Sequence, residues 1–138
     1  MRLTKCTQYA LATAMALGLS VGAAAAAGDA EKGKKDFRKC KACHALKEGK
    51  NKVGPSLHNI VGRKAGTVEG YKYSPSYLEA GEKGLVWTPE QLIAYLENPK
   101  GFLKTYLGQD KVKSKMVQKF KKQALRENVV AYLESLTE

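Results

Sequence analysis

Cys40-Lys41-Ala42-Cys43-His44 is the stretch on which the reading of this chain turns. It spells C-x-x-C-H, the attachment pattern for a c-type haem. Two thiols three positions apart lie on one helical turn, so both reach the vinyl groups of a single porphyrin and form thioethers. The histidine that follows presents an imidazole to the iron. A C-x-x-C pair alone also suits a redox dithiol, half of a zinc site or a disulfide. A redox dithiol sits within a βαβ pattern, and nothing here alternates strand with helix. A four-ligand zinc site needs one more ligand beyond Cys40, Cys43 and His44, and His58 is the only histidine left.

Outward toward the N-terminus, Arg2 and Lys5 precede an apolar stretch from Tyr9 to Val21 and a run of small residues from Gly22 to Ala27. That order predicts a secretory signal peptide over 1–27, cleaved after Ala27. The apolar core is too short and too rich in Ala and Gly for a retained membrane span of about 20 residues. Removal of 1–27 takes Cys6 away and leaves the two thiols that one haem consumes. The mature part, 28–138, reads as one domain without a further membrane span. It is near the lower size limit for a self-sufficient core, and a covalent porphyrin would supply missing apolar interior.

The leader holds two of the 24 basic residues and none of the 13 acidic ones, leaving 22 against 13, a formal +9. The lysines are scattered rather than stacked on one helix, and an exported chain meets little nucleic acid, so no nucleic-acid partner is expected. The positive field is expected to steer docking to acidic protein surfaces or anionic membrane faces.

Toward the C-terminus the pattern is helical. Asp29 predicts the cap of a first helix running through Phe37 to Cys43, with Gly33 marking a close backbone approach. Lys47 to about Ser76 reads as a loop, with a short helix from Ser76 to Gly81. Thr88-Pro89-Glu90-Gln91 predicts a helix start with a capping box, and Asn98-Pro99 its end. One or two turns are expected over Lys100–Leu107. The last helix, about Ala124–Leu136, carries Leu125, Val129, Tyr132, Leu133 and Leu136 as one stripe, expected to pack on the Gly33/Phe37 face.

Haem iron takes six ligands if it only passes electrons and keeps an open position if it binds small molecules. Met116 is the only methionine of the mature chain and sits in a polar, basic stretch rather than on an apolar stripe. It is the candidate sixth ligand, with Lys115 and His58 as rivals. A thioether is soft and favours the ferrous state, so His44/Met116 ligation raises the potential and suits electron transfer without bond making.

Further motifs occur in order along the chain: Asp29-Ala30-Glu31-Lys32-Gly33 to Phe37, Val53-Gly54-Pro55-Ser56-Leu57-His58, and Gly62-Arg63-Lys64-Ala65-Gly66-Thr67. They continue through Tyr71-Lys72-Tyr73-Ser74, Leu85-Val86-Trp87, Tyr95-Leu96-Glu97-Asn98-Pro99 and Val130-Ala131-Tyr132-Leu133. With C-x-x-C-H they resemble the class I cytochrome c family, in its soluble bacterial c2 type, over nearly the whole mature chain. The resemblance implies an all-α fold of four or five helices around one haem c held by Cys40 and Cys43, the first and last helices crossing. It implies His44 and Met116 as iron ligands and the Pro55 carbonyl as acceptor for the His44 ring. Tyr73 and Trp87 would donate to a haem propionate with Arg63 countering its charge, and Tyr95 and Ser114 would lie near the Met116 sulfur. Lys39, Lys52, Lys104 and Lys115 are candidates for a basic ring around the haem edge.

The chain departs from the family at three places: a longer Pro99–Met116 segment, Gln118 where an aromatic is usual, and Tyr77 where a smaller polar residue is expected. Phe120 is the candidate to fill the space left by Gln118. The expected role is a periplasmic, monomeric electron carrier, not an enzyme. Its donor would be a cytochrome bc-type complex, and its acceptor an oxidase, a photosynthetic reaction centre or a reductase. The alternatives are a five-coordinate gas-binding or sensing haem protein, a peroxidase, and a dedicated haem subunit of a larger redox enzyme.

Overall fold

A computed structural model of the chain describes residues 28–138. The leader expected over 1–27 lies outside the described residues. Asp29 caps α1 (Ala30–Asp36), its carboxylate accepting the Lys32 N–H at 3.0 Å. The sequence predicts that this helix continues to Cys43, but it ends at Asp36 and tightens into a 3-10 turn, Phe37–Lys39. The reason is local. The Cys40 and Lys41 N–H groups both converge on the Phe37 carbonyl, at 2.8 and 3.2 Å, and the Cys43 and His44 N–H groups converge on the Cys40 carbonyl, at 3.1 and 2.9 Å. The tightened chain leaves Cys40 buried and Cys43 exposed.

Four further helices follow: α2 (Pro75–Glu82), α3 (Pro89–Glu97), α4 (Pro99–Leu107) and α5 (Gln123–Ser135). Each of α2, α3 and α4 begins with proline in its first turn, where no N–H is needed, and with a side-chain cap from Ser74, Thr88 or Asn98. Such a cap stabilises by about 1 kcal/mol. The box predicted at Thr88 forms by half. The Thr88 hydroxyl accepts the Gln91 N–H at 3.3 Å, while the Thr88 N–H goes to the Val86 carbonyl at 2.9 Å. The few turns expected after Pro99 are a full helix, α4, closed by Gly108 in the left-handed region at φ 63°.

Helix α1 crosses α5, and α3 packs against both α4 and α5. The crossing depends on Gly33, whose Cβ would collide with the Asn128 carbonyl of α5. Alanine is the better helix former by about 1 kcal/mol, so close approach overrides propensity here. Phe37 is buried at the crossing, its ring 5.6 Å from that of Tyr132. The apolar stripe of α5 is rotated from the expected one. Arg126, Val129, Val130, Ala131 and Leu133 are buried, Leu125 and Tyr132 partly so, and Leu136 is exposed beyond the helix end.

Among the described residues there is no β-strand, only an isolated antiparallel bridge between Lys64 and Val86. Its flanking bonds, Gly62 N–H to the Trp87 carbonyl at 2.8 Å and Trp87 N–H to the Arg63 carbonyl at 2.9 Å, fix Trp87 in the core, where it is 1% exposed. No helix among them is long and apolar enough to cross a membrane.

Candidate functional site

The Cys40–His44 turn, α3, α5 and the segment before α5 enclose a cleft of about 320 Å³ with a predominantly apolar lining. Of the ten predicted site residues, nine line it: Cys40, Cys43, His44, Pro55, Arg63, Tyr73, Trp87, Tyr95 and Met116. Ser114 stands behind the lining.

His44 is set by its neighbours along the chain. Its Nδ1 lies 2.8 Å from the Pro55 carbonyl. A carbonyl only accepts, so Nδ1 carries the hydrogen and Nε2 keeps the lone pair a metal needs. Gly54 makes room, because a Cβ there would run into the His44 ring. The Gly54 N–H is itself tied to the Cys43 carbonyl at 2.7 Å. Burial holds the imidazole below its ordinary pKa, opposed by the Pro55 bond and assisted by the positive charges of Lys52 and Arg63. The ring is thus kept neutral, the form that ligates.

Cys40 is pushed up to about 11, chiefly by burial and then by the neighbouring Cys43. A thiol so raised is poorly suited to dithiol exchange, which requires thiolate. No three His, Cys, Asp or Glu side chains among the described residues gather to hold a metal ion, so the zinc alternative lacks its ligand set.

Met116 is partly buried on a segment without regular structure. Two sets of bonds hold that segment. Before Met116, Ser74 Oγ donates to the Lys113 carbonyl at 2.7 Å, and the Lys113 N–H donates to Ser76 Oγ at 2.9 Å. After it, the Phe120 N–H donates to the Leu96 carbonyl at 2.9 Å. One Arg126 terminal nitrogen then donates to the carbonyls of Phe120 and Lys121 at 2.7 and 3.0 Å. Ser114 Oγ donates to the Met116 carbonyl at 2.9 Å and also bonds the Tyr95 hydroxyl, whose pKa burial pushes up to about 12. Phe120 is buried and lines the cleft, while Gln118 lies exposed at its edge.

Two expected propionate donors differ in their bonds. Tyr73 accepts the Val68 N–H at 3.2 Å, which leaves its own hydrogen available. Trp87 Nε1 instead gives its hydrogen to the Tyr77 hydroxyl at 2.9 Å. Arg63 donates to the His58 and Ser56 carbonyls at 2.7 and 2.9 Å and faces the cleft from there. His58 does not line the cleft. Lys39 and Lys115 do, while Lys52 bonds the Lys41 carbonyl nearby and Lys104 lies on α4 outside the lining.

Sequence reasoning marked Tyr77 only as a bulky departure and Ser74 only as part of a motif, and gave no role to Ser76 or Arg126. Arg126 had a readable sign: with Val129, Val130 and Leu133 it forms an i, i+3, i+4, i+7 stripe, an arginine on an apolar face.

The arrangement fits a porphyrin held through two thioethers. Thiols stand at one wall, a lone-pair imidazole and a thioether line the same apolar cleft, and no acidic side chain lines it. The family model for cytochrome c matches residues 30–137. Cytochrome c2 of Rhodospirillum rubrum is 45% identical over 122 residues, spanning 88% of this chain and 90% of that protein. Cytochrome c2 of Rhodopseudomonas palustris is 45% identical over 130 residues, 89% and 91% of the two chains. The solved structure of cytochrome c2 from Rhodospirillum centenum superposes with a TM-score of 0.77 at 44% identity, covering 80% of this chain and 100% of that one.

Proposed function

Because the chain belongs to the cytochrome c family, electron carriers with one haem c bound covalently through two cysteines, we propose that it is a periplasmic one-electron shuttle with Cys40 and Cys43 as the haem-bearing thiols and His44 and Met116 as the iron ligands. The observation that carries this reading is that the lone-pair nitrogen of His44 and the thioether of Met116 belong to one apolar cleft whose wall bears both thiols. When bound there, the haem supplies a ferric/ferrous couple.

The protein's own part is to hold that couple still and dry. The Pro55 carbonyl locks the His44 ring, so its orientation need not change with oxidation state. The bonds on either side of Met116 restrain its segment, and the buried Phe37, Trp87, Leu92 and Phe120 exclude water from the cleft. Arg63 and Tyr73 present positive charge and an O–H to a porphyrin carboxylate. At the mouth, exposed Val53 and Val117 stand beside Lys39 and Lys115, a surface suited to brief docking on an acidic partner. The donor would be a cytochrome bc-type complex, the acceptor an oxidase, reaction centre or reductase, and the carrier a monomer.

Carbon monoxide added to the reduced protein tests the ligand set. It should leave the parent spectrum unchanged and bind Met116→Ala, whose haem stays attached and whose potential falls. Binding to the parent would show an open iron and overturn the carrier reading. Reduction rates with candidate partners should fall as salt rises.

A further inference from the structure

Gln118 and Phe120 both line the cleft on its thioether side, yet they are held differently. Gln118 is exposed at the edge, while Phe120 is 7% exposed. Their main chains differ in the same sense. Among the described residues, no backbone N–H from Ser114 to Lys119 has a hydrogen-bond partner. The Phe120 N–H reaches the Leu96 carbonyl of α3 at 2.9 Å, and the Phe120 carbonyl accepts from Arg126 of α5 at 2.7 Å.

Phe120 is thus fastened between two helices, and its side chain belongs to the buried core on which Met116 packs. A side chain at 118 hangs from chain with no such anchor. The difference matters for a thioether ligand, which is neutral and weak. Water in the cleft favours the more highly charged ferric iron, and small molecules that enter compete for the ligand's place. A fixed apolar ring excludes both. An exposed carboxamide does not, because its donors and its acceptor themselves bind water.

We propose that Phe120 is a positioning residue for the sixth ligand: it closes the Met116 side of the cleft to water and small molecules, the task for which an aromatic at 118 is usual. Gln118 takes no part in that closure. The proposal rests on the haem and ligand assignments above and deepens them. It places the seal at the one point of this segment that both α3 and α5 hold.

The test adds imidazole, a neutral ligand that must displace the thioether, to the haem-loaded full chain in its ferric form. Phe120→Ala should speed imidazole binding by roughly tenfold or more. It should also lower the midpoint potential and weaken the sulfur-to-iron charge-transfer band. Gln118→Ala should bind imidazole at the parent's rate. Gln118→Phe should leave rate and potential unchanged, because the cleft is already closed. Phe120→Leu keeps an apolar plug and should lie between parent and the alanine variant. Parental rate and potential in Phe120→Ala overturn the proposal, as does slower binding in Gln118→Phe. If Phe120→Ala does not accumulate with haem, NMR of the reduced parent decides. The Phe120 ring protons should show cross-peaks to the Met116 methyl, and their absence overturns the proposal. Failure of the ligand assignment reads differently, because Met116→Ala would then bind imidazole no faster than the parent.

Discussion

The two walls of the cleft are built by different means. On the imidazole wall, His44 is fixed by Pro55, eleven positions along the chain, and by the close approach of Gly54. On the thioether wall, Met116 lies on irregular chain held by groups from far away in sequence. Ser74 reaches Lys113 across 39 positions, and α3 and α5 hold Phe120 through Leu96 and Arg126. The first wall is a local turn that any folded neighbourhood preserves. The second exists only if α2, α3 and α5 are all in place. A partial loosening of the molecule should therefore release Met116 before it disturbs His44.

The sharpest attack on the imidazole wall is Gly54→Val. Its side chain enters the space of the His44 ring, and overpacking against a ring pinned by Pro55 costs about 3 kcal/mol or more. The expected result is a collapse in the yield of haem-loaded protein, read from the visible spectrum of purified material. Normal yield with an unshifted spectrum would mean that this wall is soft.

Arg126→Met attacks the other wall. Arg126 is 6% exposed, and its charged donor serves the carbonyls of Phe120 and Lys121; the buried Phe120 carbonyl would be left unpaired, at about 1–3 kcal/mol, and the partly buried Lys121 carbonyl would turn to water. Haem should stay attached, but the sulfur-to-iron charge-transfer band should fade at a lower denaturant concentration than the Soret band changes. Parallel loss of both signals would erase the distinction between the walls. Arg126→Lys keeps the charge but not the fork, and should fall between parent and Met variant.

Alkaline pH probes the same wall through Tyr95. Its folded pKa is raised, chiefly by burial, from an ordinary 10.0 to about 12. Its contribution to stability is therefore complete below pH 10 and is lost as pH rises toward 12, at roughly 1.4 kcal/mol per unit. Urea midpoints should decline across that window, and less steeply in Tyr95→Phe. Ser74→Ala is the mildest test. It removes the α2 cap and the bond to Lys113, for about 1–2 kcal/mol, and should shift the charge-transfer midpoint more than the global one.

The contrast also explains what was legible in the residues themselves. The Cys40–His44 turn, the Thr88 cap and the Gly33 crossing are short-range patterns or consequences of a missing side chain, and each leaves a mark in sequence, while the Pro55 acceptor comes from the family resemblance alone. The end of α1 at Asp36 was not legible, because it depends on which carbonyls the following N–H groups choose. Nor were Ser74, Ser76 and Tyr77 as partners of Lys113 and Trp87, since those bonds join segments whose proximity only the fold creates. Leu136 was misjudged by counting a stripe past the end of its helix. Met116 itself is legible as the only methionine of the mature chain in a polar stretch, whereas the bonds that hold its wall are the part least written in local sequence.

The crossing of α1 and α5 has a kinetic consequence. The Asp29 N–H donates to Asn128 Oδ1 at 2.9 Å across 99 positions, beside the Gly33 crossing. Closing so long a segment costs about 4 kcal/mol of chain entropy, recovered only when α1 finds α5. A chain still being synthesised has no α5 to offer, so α1 and the turn after it lack their closing contact until the last turns arrive, and the Cys40 thiol, buried in the finished fold, should stay accessible until then.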